Sequence, residues 1–344
     1  MRSASFRLLF LPACLILGMC SLSLGQSPNH APAPLPAAPE SNPQSPPIPS
    51  QPNDLSLNWN DVEHRLWANA KTYVDMPLQD VLDAVPDLNG LIEGTDRTAL
   101  APVLDKVGKT CLELLQHTPS VASREDQITT QRTVSRISQG AFVRAALPPT
   151  QEKQTFGYLL LSRVTDSGLQ LQEYRTDKKG HPVTYSGSRT GQVSEGFSSE
   201  WLRLFPGNQN QSRFRFLGHQ IVDGHQTLVI AFAEIPDRVK FPTTFSFEGT
   251  RLTLLFQGIA WIDASDFRIV RLREDLLAPR PDVHLTEMSI TVRFGSVHIA
   301  KAASTLWLPQ AADVAWEYKG VAVEQQHLYS DFHLYAAHSR IIPQ

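Results

Sequence analysis

The chain has 344 residues, a formal net charge of −3 and 42% hydrophobic residues. That length and apolar share suit one large folded unit or two smaller ones. A near-neutral charge with no dominant basic patch argues against a nucleic-acid or polyanion partner.

Residues 1–25 read as a secretory signal peptide. Arg2 and Arg7 precede an apolar run from Leu8 to Met19 that is too short to span a bilayer comfortably. Ser23 and Gly25 put small residues at −3 and −1, so cleavage is expected before Gln26. Leu17-Gly18-Met19-Cys20 offers the rival, a lipoprotein box with a lipid on Cys20. Such a box wants a small residue where Met19 stands, and the plain cleaved signal is preferred. The mature chain is then expected in the periplasm or outside the cell. Of Cys14, Cys20 and Cys111 only the last would remain, which leaves no intramolecular disulfide. No later run approaches the ~18–20 apolar residues of a membrane span.

Residues 26–53 are mostly Pro, Ala, Ser, Gln and Asn, a disordered proline-rich linker by composition. A helical N-terminal segment follows over 54–96. Val62, Leu66, Ala70 and Tyr73 recur at helical spacing up to Pro77, and Leu78, Val81, Leu82 and Val85 make a second piece before Pro86. The remaining domain, 97–340, opens with a stronger helix over 98–117, capped by Thr95 or Asp96. Its stripe includes Val103, Val107, Leu114 and Cys111, so that cysteine reads as a small buried hydrophobe rather than a nucleophile.

From about Ile128 the period changes to two, which predicts strands. Residues 156–164 and 169–174 flank an Asp166-Ser167-Gly168 turn, and a short helix is predicted over 196–205. Residues 212–222 and 225–233 form the clearest hairpin, closed by Asp223-Gly224. If Val222 pairs with His225, Phe216 faces Ala231 and Leu217 faces Ile230. Both faces are then apolar near the middle, so the hairpin must be covered twice or line a cavity. Residues 252–262 return through 263–266 into 267–273. Pairing Ile262 with Phe267 sets an exposed Trp261 beside Arg268 as a cation–π contact. Strands over 286–299, 305–318 and 321–335 complete a meander. The expected fold class is α+β: a large curved antiparallel sheet, open or half-barrel, with helices on its concave side.

No motif for a catalytic, cofactor or metal site is present. His219, Asp223 and His225 cluster around a turn without needing to converge. His327, Asp331 and His333 share a strand face by count, and a solvated face is the preferred reading over a weak metal site. Glu125-Asp126 reads as a solvated helix-to-strand junction and Glu274-Asp275 as a strand end. No carboxylate pair stands out for acid–base work.

The order of signal peptide, helix and long meander resembles the LolA/LolB-like periplasmic lipoprotein-sorting superfamily, as a distant exported bacterial member. Gly258-Ile259-Ala260-Trp261-Ile262-Asp263 with Phe267-Arg268-Ile269-Val270-Arg271-Leu272 is similar to its strand–turn–strand segment, and Tyr329-Ser330-Asp331-Phe332 to its closing strand. The resemblance spans about residues 98–335 and implies an incomplete barrel whose lidded apolar face holds acyl chains. Residues 54–96, the proline-rich leader and the insertion 236–249 depart from compact carriers. The function expected is a non-catalytic envelope carrier or chaperone for a lipid, acyl chain or other apolar ligand, with no cofactor. Ile230, Phe232, Phe256 and Trp261 are the candidate cavity lining. An envelope protein as partner of a filled scaffold is the alternative, and a hydrolase with scattered catalytic residues the third reading.

Overall fold

A computed structural model of the chain describes residues 6–9, 59–96, 98–133, 148–165, 168–183, 196–240, 243–247 and 250–335. The expected linker 26–53, most of the signal peptide and the turn tip Asp166-Ser167 lie outside those residues.

Eleven strands form one antiparallel sheet. In chain order they are β2 (Ile92–Glu93), β3 (Val121–Thr133), β4 (Thr150–Thr165), β5 (Gly168–Thr176), β6 (Ser212–Val222) and β7 (His225–Glu234). Then come β10 (Phe256–Asp263), β11 (Ile269–Leu276), β12 (Leu285–Val297), β13 (Leu306–Tyr318) and β14 (Val321–Leu334). A separate three-stranded sheet pairs β1 (Phe6–Leu9), β8 (Thr243–Phe247) and β9 (Thr250–Leu254). The single strand expected over 252–262 is thus two, broken at Leu255, which turns inward against Trp59 and Trp67.

The spatial order is β2-β6-β7-β10-β11-β12-β13-β14-β3-β4-β5. The meander holds from β10 to β14, but the last strand then pairs with β3, the first long one, so the sheet closes its sequence on itself. Helix α3 (Leu100–His117) touches both β6, near one end of that order, and β5, the other end. A sheet whose two ends reach one helix is strongly curled, and α3 marks its concave side. Asp96 accepts from the amide and hydroxyl of Thr98 just before this helix, whose own N-cap is Ala99.

The β6–β7 hairpin is covered twice. Its inner face meets α3 and the turn Glu200–Leu204, which buries Trp201 and Leu204. Its outer face, continued by β10 and β11, meets α1 (Asp61–Ala68), α2 (Leu78–Ala84) and the turn after them, with Val81, Val85 and Leu88 wholly buried. Polar side chains pin that outer cover. The Tyr73 amide donates to Gln257 at 2.8 Å, and Gln220 links the Trp261 indole to the carbonyls of Asp87 and Asn89.

Two predicted registers are corrected. Val222 does pair with His225, but a bulge between Phe216 and Gly218 slips the rest by one, giving Phe216↔Ile230 and Phe214↔Phe232. The cause is Gly218. Its φ of +145° and the approach of the Ile92 carbonyl, 2.0 Å from where a Cβ would stand, let β2 dock there. In the second hairpin Asp263 accepts from the amides of Ser265 and Asp266, lengthening the turn, and Ile262 pairs with Ile269. Trp261 therefore lies opposite Arg271 and is fully buried, while Arg268 stacks on Trp307. Replacing Gly218 by Ala should destabilise the domain by more than about 1 kcal/mol in urea unfolding. A neutral effect would mean that β2 does not dock on the bulge.

Candidate functional site

The four predicted lining residues do not share a surface. Alternation along β7 and β10, with the pairs Gly258↔Phe232 and Ala260↔Ile230, puts Ile230, Phe232 and Phe256 on the inner face. Trp261 is on the outer face, beneath the N-terminal cover. All four have no exposed surface and pack in the core.

What the sequence did not suggest is the chemistry of the inner face. Residues 197–205 lie against it as a short cover, tied to the sheet by charged groups at both ends. At the leading end, Glu173 on β5 accepts from the amides of Ser198 and Ser199 at 3.0 and 2.9 Å, from the Ser199 hydroxyl at 2.6 Å, and from Tyr158. The carboxylate thus fills donors of a turn that find no other acceptor among the described residues.

Beside it sits a fully enclosed ionic centre. Glu125 receives a two-pronged bond from Arg175, a bond from His327 Nδ1 at 2.7 Å and one from the Tyr329 hydroxyl at 3.1 Å. The solvated junction expected for Glu125-Asp126 is therefore wrong for Glu125. Strand β3 starts at Val121, directly after α3, and alternation turns Glu125 inward while Asp126 stays at the surface beside Arg124. Burial by itself would raise the Glu125 carboxyl, but the Arg175 guanidinium and the His327 bond bring it down to about 2. His327 is pushed below its ordinary value by burial, against the pull of Glu125. The solvated face is likewise corrected for His327, which is buried, while Asp331 and His333 are exposed as expected. A bulge after Ser330, with Asp331 at φ +56°, separates Asp331 and His333 from His327, whose ring packs edge-on to Phe197.

At the trailing end, Arg203 reaches across β10 to Glu234 on β7 and Glu274 on β11, with its guanidinium over the Phe232 ring. Glu274 lies opposite Gly258, and that glycine leaves the room: a Cβ there would stand 1.9 Å from the Arg273 carbonyl and 2.7 Å from the Phe232 ring. The expected strand end at Glu274-Asp275 is thus a buried carboxylate beside one that faces the outer cover. Glu200, on the same turn as Arg203, is also buried, and burial followed by the nearness of Glu274 holds its carboxyl well above the usual range.

Chemically, Glu125 with His327 has the form of an oriented base, and His327 Nε2 makes no hydrogen bond among the described residues. Its ring is enclosed and packs edge-on to Phe197, the first residue of the cover. Cys111 is buried against the Trp201 carbonyl and its thiol is pushed up to about 12 by burial, as befits a packing residue. His219 and His225 stay apart: His225 bonds Asp263 and His219 packs on Phe216. Among the described residues no group of three or more His, Cys, Asp or Glu could hold a metal ion.

The outer face also carries open space. A groove of about 690 Å³ crosses the outer face from β11 to β3, with Tyr73 and Ala84 as one wall and Ser289 and Ala315 in its lining. Glu287 and Glu317, directly opposed across β12 and β13, and an Arg132–Glu324 pair give it a charged rim.

Cutting the ionic centre tests its dryness. Arg175→Met should cost roughly 3–5 kcal/mol in denaturant unfolding, because Glu125 is left buried without its guanidinium, with His327 and Tyr329 as its remaining partners. A loss below about 1 kcal/mol would mean a solvated centre. The pH dependence has a definite sign. Since the Glu125 carboxyl is depressed in the folded state, its contribution is complete above the ordinary 4.5 and is lost as pH falls towards about 2. Glu125→Gln should remove that part of the acid slope, and an unchanged slope would contradict the assignment.

No protein-family model matches the chain, and no curated protein matches it. Among solved structures it is similar to a domain assigned as an outer membrane lipoprotein-sorting protein from Vibrio parahaemolyticus. The identity is 10%, the TM-score 0.32, and the match covers 67% of this chain and 92% of that one. It is also similar to a DUF1329 family protein from Desulfovibrio piger, at 10% identity and TM-score 0.36, over 71% of this chain and 96% of that one. Neither likeness assigns a role to a residue of this chain, and the site rests on its own geometry.

Proposed function

We propose that the protein is an exported, non-catalytic carrier of the cell envelope that holds a lipid or acyl chain against the concave face of its sheet. The observation behind this reading is the cover. Residues 197–205 lie on an apolar floor that includes Ile230, Phe232 and Phe256, yet they pair with no strand and are tied down by side chains. A cover held by side chains alone, its ionic ties and the apolar anchors Trp201 and Leu204, can leave as a unit, whereas a strand in the ladder cannot. The floor beneath the middle of the cover, around Ile230, Phe232 and Phe256, is apolar and buried, a surface that suits an acyl chain. Export rests on the basic, apolar and small-residue order of positions 1–25, and the Phe6–Leu9 strand that pairs with β8 would leave with that segment on cleavage. The folded unit is taken as 97–340, with 54–96 as its outer cover and 26–53 as its tether.

A second reading, an interaction scaffold, draws on the outer groove, which is open without any rearrangement and rimmed with charge. An envelope protein would be its partner. Native mass spectrometry of the mature protein from its own host, before and after solvent extraction, separates the two. The carrier reading expects a co-purifying lipid or acyl species that extraction removes, and displacement of a fluorescent fatty acid by that species. Bare protein that takes up no probe would favour the scaffold.

A further inference from the structure

The charge at the trailing end of the cover does not balance. One guanidinium, Arg203, faces three carboxylates: Glu274 and Glu234, which it binds, and Glu200 on its own turn. All four side chains are buried or nearly so. The bonds are also unevenly shared. Glu234 has both oxygens used, one by Arg203 and the other by the Phe256 amide at 2.7 Å. Glu274 has one oxygen on Arg203, while its second is buried and makes no hydrogen bond among the described residues. A bare anionic oxygen in a dry interior beside two further carboxylates is costly, and taking up a proton relieves it.

We propose that the cover is a proton-dependent latch: it closes on the sheet with a proton held among Glu200, Glu274 and Glu234, and rising pH releases it from the concave face.

Among the described residues the groups facing this cluster leave Arg203 as its near cation, and Asp275, the next residue on β11, adds to the negative charge acting on Glu274. From β7 comes Glu234, from β11 Glu274, and from β5 Glu173, which is already occupied with the Ser198 and Ser199 amides. Helix α3 contributes Cys111 against the Trp201 carbonyl. At the far end of the cover, Arg175 is spent on Glu125, which also holds His327. When the cover leaves, Glu200 and Arg203 move into water, and the proton is given up to solvent. Closing therefore takes up a proton and opening releases one. Burial, with Glu274 next, is also what raises the Glu200 carboxyl, in the sense that the latch requires.

The purpose of the latch, admitting a lipid, rests on the carrier reading; the latch itself does not. Native-state hydrogen exchange tests it on the intact protein. Protection of residues 197–205 would be followed from pH 6 to 9, corrected for intrinsic rates, with β10 as internal reference. One linked proton predicts that relative protection of the cover falls by up to about tenfold per pH unit over its titration. Glu200→Gln, which mimics the protonated acid, should flatten the profile. Glu274→Gln should do the same, and carries the readout if the first variant does not fold. A wild-type cover whose relative protection is independent of pH would overturn the latch, as would a profile unchanged in both variants. A fatty-acid probe titrated over the same range tells the two ideas apart. A titrating cover with no probe uptake at any pH removes the carrier and keeps the latch. Probe uptake with no titration does the reverse.

Discussion

A sheet that is apolar on both faces cannot present either one to water, and most of this architecture answers that constraint. Phe214, Phe216, Ile230 and Phe232 point to one side of the β6–β7–β10 region, and Ile259 and Trp261 to the other. Each buried side chain of that size is worth roughly 1.5–3 kcal/mol when removed from water, so neither face can be left bare. The N-terminal helices cover the outside and α3 with residues 197–205 the inside. The two covers are built differently. The outer one is set by a grease-filled interface around Val81, Val85 and Leu88 plus a few polar pins. The inner one is a short turn with Trp201 and Leu204 as its apolar anchors and ionic ties at both ends.

Buried ion pairs of this kind are weak sources of net stability, because removing two charges from water costs about as much as their attraction returns. What they contribute is geometry. Arg203 can bind Glu234 and Glu274 together in one position, and Glu173 can cap the Ser198 and Ser199 amides in one orientation of the turn. The cover is thereby fixed without being welded into the ladder. That combination, a specific closed position and a modest number of ties, is what a removable lid requires. It also makes the closed state sensitive to protons, whereas a cover held by leucines would not be.

Much of this was legible in the sequence. The Asp223-Gly224 turn set the end of its hairpin correctly, helix α3 ran where the apolar stripe placed it, and the two-sided hairpin called for either a double cover or a cavity, of which the structure supplies the cover. The failures have local causes. Nothing in the residues around Gly218 says that a two-residue strand from position 92 will dock there, so the bulge and its one-residue slip were invisible. The pairing of β14 with β3 joins segments about 200 residues apart, and period-two patterning carries no partner information. The ionic centre was missed for the same reason. Glu125, Arg175 and His327 each look like surface residues until three distant strands bring them together. An inward Glu in strict alternation from Val121 was the one available signal, and reading the strand from Ile128 discarded it.

The central claim is that the ligand surface is the concave face under residues 197–205, and not the outer groove. Photo-crosslinking with a diazirine-bearing fatty acid, read out peptide by peptide, addresses it most directly. The account predicts adducts in 197–205, in β7 around Ile230 and Phe232, and in β10 around Phe256, suppressed by unlabelled fatty acid. Adducts confined to 276–289 and 315–324, the strands of the outer groove, would contradict it.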